Sequence, residues 1–501
     1  MQGFTYIDLV ILVVYLAAVL FAGLHFAKKE MKGKEYFKGD GTVPWWVTSV
    51  SIFATLLSPI SFLSLAGNSY AGTWIMWFAQ LGMLLAIPLT IKFFLPIYSK
   101  LDIDTAYHYL ELRFGSKGLR VLGAVMFIVY QIGCMSIIMY LPCMVLGSLT
   151  GINVNLLIII MGVIAIIYSY TGGLKSVLWT DFIQGSVLLI GVTFALIFLL
   201  AHLDGGIGAI FQAFATEHKF LAVDQPIFNP NIFKDSVFIM IVGAGFNTMG
   251  SYVSSQDIVQ RFTTTTDTKK LNKMMLTNGA LSIFIATVFY LIGTGLFVFY
   301  KQNALPPAAA QDQIFASYIA FELPVGVTGL LLAAIYAAAQ STLSTGLNSV
   351  ASSWTLDIQS SLSKKELGFE KETKIGQRVS LIVGIFAIVV AMVLANGGVK
   401  SAYEWFNGFM GLVLGILIGT FILGAFTKVA NTFGAVAAFI ASSAVMVYIK
   451  YFVPADQVTI WSYSIISIVV SLVVGIPASI IWRKVKGDKS VPAPNTTIFK
   501  N

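Results

Sequence analysis

Thirteen apolar stretches, separated by more polar segments, constrain the fold of this 501-residue chain more than any other feature. Each stretch is long enough to cross a bilayer as a helix, which takes about 20 residues. In chain order they are 6–27, 45–67, 74–98, 119–147, 153–171, 177–202, 235–256, 273–299, 326–358, 377–396, 402–425, 432–453 and 460–482. Because lipid offers the backbone no hydrogen-bond partners, the sequence predicts an all-α integral membrane protein with about 13 transmembrane helices.

The composition agrees with a chain that is mostly surrounded by lipid. Charged residues make up 11% of it, whereas soluble domains carry roughly 25%. The first stretch is too long for the apolar core of a signal peptide and has no basic segment before it, so we expect a retained helix. We expect the lipid bilayer as a partner and no nucleic acid, since the formal net charge of +8 is explained by the loops. The sequence shows neither a nucleophile paired with a general base nor a cluster of metal ligands, so we do not expect an enzyme.

The distribution of lysine and arginine predicts the orientation. With the N-terminus outside, 26 of the 31 basic residues lie in segments on the inner side, and five lie outside. This asymmetry follows the positive-inside rule. An odd number of spans then places the C-terminus in the cytoplasm.

Two spans contain features that weaken a helix. Pro59 interrupts the second span, because proline lacks the N–H that a helix interior needs. The seventh span carries the glycine-rich run Gly243–Gly250 with the polar residues Asn247 and Thr248. Interrupted helices at matching positions of two halves are typical of transporters with inverted repeats and a site near the middle of the membrane.

Each of these two spans opens a block of five, and five is odd, so the blocks have opposite orientations. The predicted organisation is an extra N-terminal helix with its inside loop at 1–44, a first five-helix repeat at 45–202, an outer loop at 203–234, a second, inverted repeat at 235–425, two C-terminal helices at 426–482 and a cytoplasmic tail at 483–501. The longer outer loops, 203–234 and 300–325, are expected to form short surface helices or lids.

A carboxylate and a polar stripe indicate a cation site. Asp181 lies where the span 177–202 begins, and an ionisable group at membrane depth usually marks an ion or substrate path. Ser341, Ser344, Thr345 and Asn348 are spaced to share one helical face. Hydroxyl and carbonyl oxygens suit a hard alkali cation. Small hydroxyl residues also let membrane helices pack closely, and for the stripe alone this alternative remains open.

Four motifs together resemble the solute:sodium symporter family over residues 6–482. They are Gly172–Asp181, Ser255–Arg261, Ala337–Ser349 and Phe406–Leu412. Within the family, Ala54–Phe62 and Tyr109–Phe114 are most similar to the bacterial sialic acid transporters. The resemblance implies a LeuT-like fold with discontinuous helices in a bacterial inner membrane, with Na⁺ as the coupling ion.

The resemblance also implies two sodium sites. The first would use the backbone carbonyls of Ala54, Leu57 and Ala338 with the hydroxyls of Ser341 and Thr342. The second would use Asp181 with the hydroxyls of Ser341, Ser344 and Thr345. Every one of these positions carries a suitable oxygen.

For the substrate, the resemblance implies contacts from Ser58, Ser61, Gln80 and Cys134. Sialic acid transporters of the family use an arginine at the position of Cys134 to bind the sugar carboxylate. A guanidinium fits a carboxylate with two parallel hydrogen bonds, and a neutral thiol cannot replace its charge. Although Cys134 departs from this pattern, the resemblance as a whole implies sodium-coupled import of sialic acid (N-acetylneuraminate) by alternating access. The alternatives are a symporter for another solute, such as a sugar, monocarboxylate, proline or vitamin, and a sensor or channel that uses this fold.

Overall fold

The computed structural model describes residues 5–27, 34–39, 41–303, 313–363, 368–397, 402–454, 456–487 and 491–499, and its regular structure there is helical. The first ten helices are α1 (Tyr6–Ala27), α2 (Lys34–Lys38), α3 (Trp45–Leu56), α4 (Pro59–Ala71), α5 (Met83–Leu89), α6 (Leu95–Leu101), α7 (Ala106–Phe114), α8 (Lys117–Thr150), α9 (Val154–His202) and α10 (Ile207–Thr216). A 3₁₀ segment (Ile75–Gly82) and a π segment (Thr90–Phe94) join α5 and α6 into one span.

The second half of the chain continues in the same way. Its helices are α11 (Val237–Ser254), α12 (Gln256–Phe262), α13 (Thr268–Gln302), α14 (Ile314–Phe321), α15 (Val327–Ser352), α16 (Ser360–Leu362), α17 (Phe369–Asn396), α18 (Ala402–Phe426), α19 (Thr432–Phe452) and α20 (Tyr463–Lys486). A π segment (Ser353–Gln359) links α15 to α16. Each of the two long loops contains a short helix as expected, but only α10 lies at the surface, because six of the eight residues of α14 are buried.

Ten helical segments of the described chain are long and apolar enough to cross a membrane. The number rises to eleven when the bent pair α3 and α4 is counted as one span. The 49-residue α9 would be about 74 Å long if straight, more than twice the roughly 30 Å of a bilayer core. It bends at Gly173, which has φ 55° and ψ −159°, where a β-carbon would lie 2.6 Å from the Tyr36 carbonyl oxygen. This bend divides α9 close to the predicted boundary of two spans. The full count of thirteen stays a prediction.

The first predicted break is confirmed. Helices α3 and α4 meet at an angle of 64°, and the two residues between them, Leu57 and Ser58, have extended backbones. Pro59 is the first residue of α4, where its missing N–H costs nothing. The break therefore leaves the C-terminus of α3 and the N-terminus of α4 facing the same region.

The second predicted break lies elsewhere. Helix α11 runs unbroken through the glycine-rich run Gly243–Gly250, and the chain leaves helical geometry at Ser255, with φ −91° and ψ 119°. The glycines serve close packing instead, because a β-carbon on Gly243 would lie 2.0 Å from the Trp461 carbonyl oxygen. The prediction of a break within this run was wrong, although the span is indeed followed by a second, short helix, α12.

Helix α15 forms the centre of the bundle. Every residue from Leu331 to Ser352 is buried, and the helix packs against α1, α8, α9 and α17. The predicted polar stripe therefore lies inside the protein rather than against lipid. Its hydroxyl groups can be satisfied by other protein groups or by a bound ion.

Candidate sodium and substrate sites

The hydroxyls of α15 meet the broken end of α3. The Ser341 hydroxyl donates to the carbonyl oxygens of Ala54 and Ala338, each at 3.1 Å. The Thr342 hydroxyl lies 3.1 Å from the Ala338 carbonyl and 3.5 Å from the Thr55 carbonyl. Four of the five residues predicted for the first sodium site are thus brought together. Leu57 lies at the break itself, and no described contact joins its carbonyl oxygen to the other four.

The chemistry of this cluster fits an alkali cation. Ala54 lies in the last turn of α3, where carbonyl groups have no partner within the helix and carry the partial negative charge of the helix end. Each hydroxyl donates its single hydrogen to a carbonyl and keeps lone pairs that can face an ion. Such hard, neutral oxygen ligands favour a monovalent cation over a transition metal.

The residues predicted for the second sodium site also converge. Asp181 on α9 is fully buried. One carboxylate oxygen, Oδ1, accepts a hydrogen bond from the Ser344 hydroxyl at 3.3 Å, and Oδ2 accepts one from the Thr345 hydroxyl at 3.1 Å. The Ser344 hydroxyl also lies 3.1 Å from the carbonyl oxygen of Ser341. The two predicted sites are therefore adjacent through Ser341, although no described contact joins the Ser341 hydroxyl to Asp181.

An arginine that the sequence analysis did not assign to the site is bonded to Asp181. The Nη2 atom of Arg261 lies 2.7 Å from Asp181 Oδ2, and both side chains are fully buried. Arg261 Nε donates to the Ser51 hydroxyl at 2.9 Å, and that hydroxyl donates to the same carboxylate oxygen at 2.7 Å. The expectation that sodium is the partner of Asp181 was incomplete, because the protein supplies a cation of its own. The one available signal was the position of Arg261 in the Ser255–Arg261 motif.

This arrangement leaves the two oxygens of the Asp181 carboxylate unequal. Oδ2 accepts from Arg261, Ser51 and Thr345, whereas Oδ1 accepts a single long bond from Ser344. An ion in the second site would therefore bind on the Oδ1 side. Arg261 and an incoming cation would compete for the same negative charge.

Two of the four predicted substrate residues lie together at the start of α4. Ser58 is the N-cap of this helix, and its hydroxyl oxygen accepts a hydrogen bond from the Ser61 N–H at 3.3 Å. The two hydroxyl oxygens are also 3.3 Å apart. The N-terminus of a helix attracts anions through its free N–H groups, so this end of the break suits a negatively charged group.

The other two substrate residues lie on different elements. Gln80 is half-buried in the 3₁₀ segment Ile75–Gly82. Cys134 is 3% exposed in the middle of α8, a helix that packs against α4. No described contact joins either residue to Ser58 or Ser61, so their assignment to the substrate site stays a prediction.

The chain is similar to known sodium-coupled transporters over most of its length. A model of the sodium:solute symporter family matches residues 36–442. The sodium/sialic acid symporter SiaT of Proteus mirabilis (strain HI4320) is 36% identical over 90% of this chain and 91% of its own length. The sodium/sialic acid symporter NanT of Aliivibrio fischeri (strain ATCC 700601 / ES114) is 30% identical over 95% of this chain and 93% of its own length.

A solved structure shares the whole architecture. It is a substrate-bound, outward-open Na⁺-coupled sialic acid symporter, which is 33% identical, covers 95% of this chain and 98% of its own, and superposes with a TM-score of 0.88. The predicted fold class, the transport function and Na⁺ as the coupling ion are confirmed, and the number of sodium sites stays a prediction. The chain belongs to the sodium:solute symporter family of multi-pass membrane transporters.

Proposed function

We propose that this protein imports sialic acid (N-acetylneuraminate) together with sodium, by alternating access. The observation that carries the proposal is the cluster of hydroxyl and carbonyl oxygens where α15 meets the broken end of α3, with Ser341 3.1 Å from the Ala54 carbonyl. The names of the relatives that are 36% and 30% identical support the choice of cargo.

Two sodium ions would bind to this cluster. The first site consists of the carbonyls of Ala54, Leu57 and Ala338 and the hydroxyls of Ser341 and Thr342; the second consists of Asp181 with the hydroxyls of Ser341, Ser344 and Thr345. An ion in the first site links α3 to α15 and so fixes the angle at which α4 leaves the break. Because Ser58 and Ser61 begin α4, this ion would also organise the substrate site. Sodium and substrate should then tighten each other's binding by the same factor, since coupling between two sites is reciprocal.

The membrane potential supplies part of the driving force. We place the protein in a bacterial inner membrane with its N-terminus outside, on the basis of the 26 of 31 basic residues in the inner segments and the positive-inside rule. Each charge that moves inward gains about 2.3 kcal/mol per 100 mV. Two sodium ions with one monocarboxylate carry one net positive charge inward.

The carboxylate of the cargo would be bound without an arginine at position 134. In this chain the N-terminus of α4 and the hydroxyls of Ser58 and Ser61 would take its place, as half-helix N-termini do for carboxylates in other transporters with broken helices. Gln80 and Cys134 would line the rest of the site. The neutral thiol of Cys134 favours a second candidate, which is sodium-coupled import of an uncharged solute such as a sugar.

The two candidates differ in how binding responds to charge. We suggest measuring sodium-dependent binding of N-acetylneuraminate and of its methyl ester to the purified wild type, Cys134→Arg and Cys134→Met. The proposal predicts that the wild type binds the acid better than the ester. Cys134→Arg should tighten binding of the acid by about tenfold or more, because a charged hydrogen bond contributes about 1.5–3 kcal/mol. Cys134→Met adds length without charge and should not.

A different result would assign another cargo. If neither the wild type nor Cys134→Arg binds the acid, while an uncharged solute binds with sodium, the second candidate is correct. If the acid and the ester bind the wild type equally well, the α4 N-terminus does not recognise the carboxylate.

A further inference from the structure

Asp8 on α1 caps two helices with the two oxygens of one carboxylate. The side chain is 1% exposed. Its Oδ2 accepts from the backbone N–H of Thr5 at 3.0 Å and from the Thr5 hydroxyl at 2.6 Å. The Asp8 N–H in turn points to the Thr5 hydroxyl oxygen at 3.4 Å. This reciprocal pair is a capping box, which satisfies the first free N–H groups of α1.

The other oxygen reaches the start of the helix that carries the polar stripe. Asp8 Oδ1 accepts from the N–H of Gly326 and from the N–H of Gly329, each at 2.8 Å. Gly326 is the N-cap of α15, and Gly329 is its third residue. In a capping box, the side chains of these two positions would satisfy these two N–H groups. Both are glycines here, so a carboxylate from another helix performs the task.

The close approach of the two helices depends on glycine. A β-carbon on Gly329 would lie 2.7 Å from the Asp8 α-carbon and 2.8 Å from the Asp8 carbonyl oxygen. The backbone of α15 can therefore contact Asp8 because position 329 has no side chain. A negative charge at this helix end also interacts favourably with the helix dipole.

The same face of α1 contacts α15 a second time, beside the sodium ligands. The buried residues of α1 are Asp8, Leu12, Tyr15, Val19 and Gly23. The Tyr15 hydroxyl donates to Gln340 Oε1 at 3.3 Å, and Gln340 directly precedes Ser341. Between Gly329 and Ser341 the helix rises about 18 Å. Because this part of α15 is one continuous helix, a shift of its N-terminus also displaces the hydroxyls of the polar stripe.

We propose that Asp8 is a positioning residue for sodium binding: its Oδ1 sets the axial position and rotation of α15 and so aligns the stripe hydroxyls with Ala54 and Asp181. This inference rests on the proposed sodium sites. It gives the additional N-terminal helix, which lies outside the two repeats, a role in sodium affinity. The capping of α1 by Oδ2 is a separate, local role.

Three variants separate the two roles of the carboxylate. Asp8→Ala removes both caps. Asp8→Asn keeps one oxygen that can accept from Gly326 and Gly329 but loses the acceptor for the Thr5 N–H. Thr5→Ala weakens the capping of α1 and leaves the Asp8 carboxylate bonded to the N–H groups of Gly326 and Gly329. The readouts are the sodium half-saturation of uptake in liposomes and, independently of transport, the sodium concentration that half-saturates the thermal stabilisation of the purified protein.

We expect Asp8→Ala to raise the sodium half-saturation about fivefold, the factor that corresponds to the loss of roughly 1 kcal/mol from an N-cap. The maximal rate per transporter should stay near that of the wild type, because the variant weakens sodium binding equally in the ground state and in the transition state. Asp8→Asn and Thr5→Ala should stay within about twofold of the wild type, a change that corresponds to less than half of an N-cap contribution. If Asp8→Ala does not reach the membrane, Gly329→Ala decides, since its methyl group pushes α15 away from Asp8 and should raise the half-saturation as well.

Two results would overturn the inference. One is a sodium half-saturation that stays at the wild-type value in both Asp8→Ala and Gly329→Ala. The other is an equal shift in Asp8→Ala and Thr5→Ala, which would show that the capping of α1 alone matters. A wild type whose uptake needs no sodium would instead contradict the proposed function.

Discussion

The ion pair between Asp181 and Arg261 gives the sharpest test of the proposed second sodium site. The two fully buried side chains are 2.7 Å apart. Removing one partner of such a pair costs about 3–5 kcal/mol, because it leaves an uncompensated buried charge. Compared with the wild type, however, sodium should stabilise the variant that lacks the arginine more and the variant that lacks the aspartate less.

In Arg261→Gln the carboxylate keeps the hydroxyls of Ser51, Ser344 and Thr345 but loses its built-in cation. Sodium can then replace the guanidinium. We expect this variant to be less stable than the wild type in potassium and to regain most of the difference in sodium. A ligand at 100 times its Kd stabilises the folded state by about 2.7 kcal/mol.

In Asp181→Asn the charge proposed to attract sodium is gone, and Arg261 remains buried without this carboxylate, bonded to the Ser51 hydroxyl and the Asp257 carbonyl. Sodium should then stabilise the protein less than it stabilises the wild type, through the first site alone. The sodium dependence of uptake should weaken, or fewer sodium ions should enter with each substrate, while the protein still folds. The double variant removes both charges. Its loss of stability in potassium should therefore be smaller than the sum of the losses in the two single variants. It should respond to sodium as weakly as Asp181→Asn.

The assay is the melting temperature of purified protein, titrated with sodium chloride against potassium chloride at constant ionic strength. If sodium stabilises Arg261→Gln no more than the wild type, the guanidinium does not compete with an ion for Asp181. If Asp181→Asn keeps the full sodium response and an unchanged stoichiometry, Asp181 serves the arginine alone and is not a sodium ligand.

Three other predictions concern separate parts of the molecule. Ser341→Ala should raise the sodium half-saturation of uptake more than any other single hydroxyl loss in α15, because this residue belongs to both proposed sites; an unchanged value would remove it from them. Gly173→Ala should lower the melting temperature more than Gly115→Ala, since Gly115 has left-handed helical geometry and open space, whereas Gly173 combines positive φ with a ψ of −159°, which only glycine adopts readily, and lacks space for a methyl group; an equal loss would contradict both reasons. Burial lowers the pKa of Lys219 from 10.5 to about 8, where its ammonium donates to the Tyr70 carbonyl at 2.7 Å. The folded state therefore releases this proton at lower pH than the unfolded state, and the melting temperature of the wild type should rise relative to Lys219→Met between pH 8 and 10.5; a constant difference would contradict the lowered pKa.

The sequence predicted those features that depend on local chemistry. The length of the apolar stretches placed some helices to within a few residues, as for 432–453 against Thr432–Phe452. It missed the polar first turns of α17, which was predicted to begin at 377 and begins at Phe369. Pro59 predicted the first break, because proline lacks a donor wherever it occurs. The spacing of Ser341, Ser344 and Thr345 predicted a shared face, and that face lies in the core against Asp181 and α3.

The features that the sequence missed depend on contacts between distant parts of the chain. The second break falls at Ser255, where neither proline nor glycine marks it, and the glycines of α11 pack against neighbouring helices instead. Arg261 pairs with Asp181 across 80 positions, and Asp8 caps α15 across more than 300. Both pairings follow from how the helices are arranged, which no local pattern contains.

The measurement that tests the central claim most directly is uptake of labelled N-acetylneuraminate by liposomes that contain the purified protein, with sodium or potassium outside. We predict uptake that requires external sodium and that increases with an inside-negative potential, because the two proposed sodium ions and one monocarboxylate together carry one net positive charge inward. Equal uptake in the two salts would contradict the account.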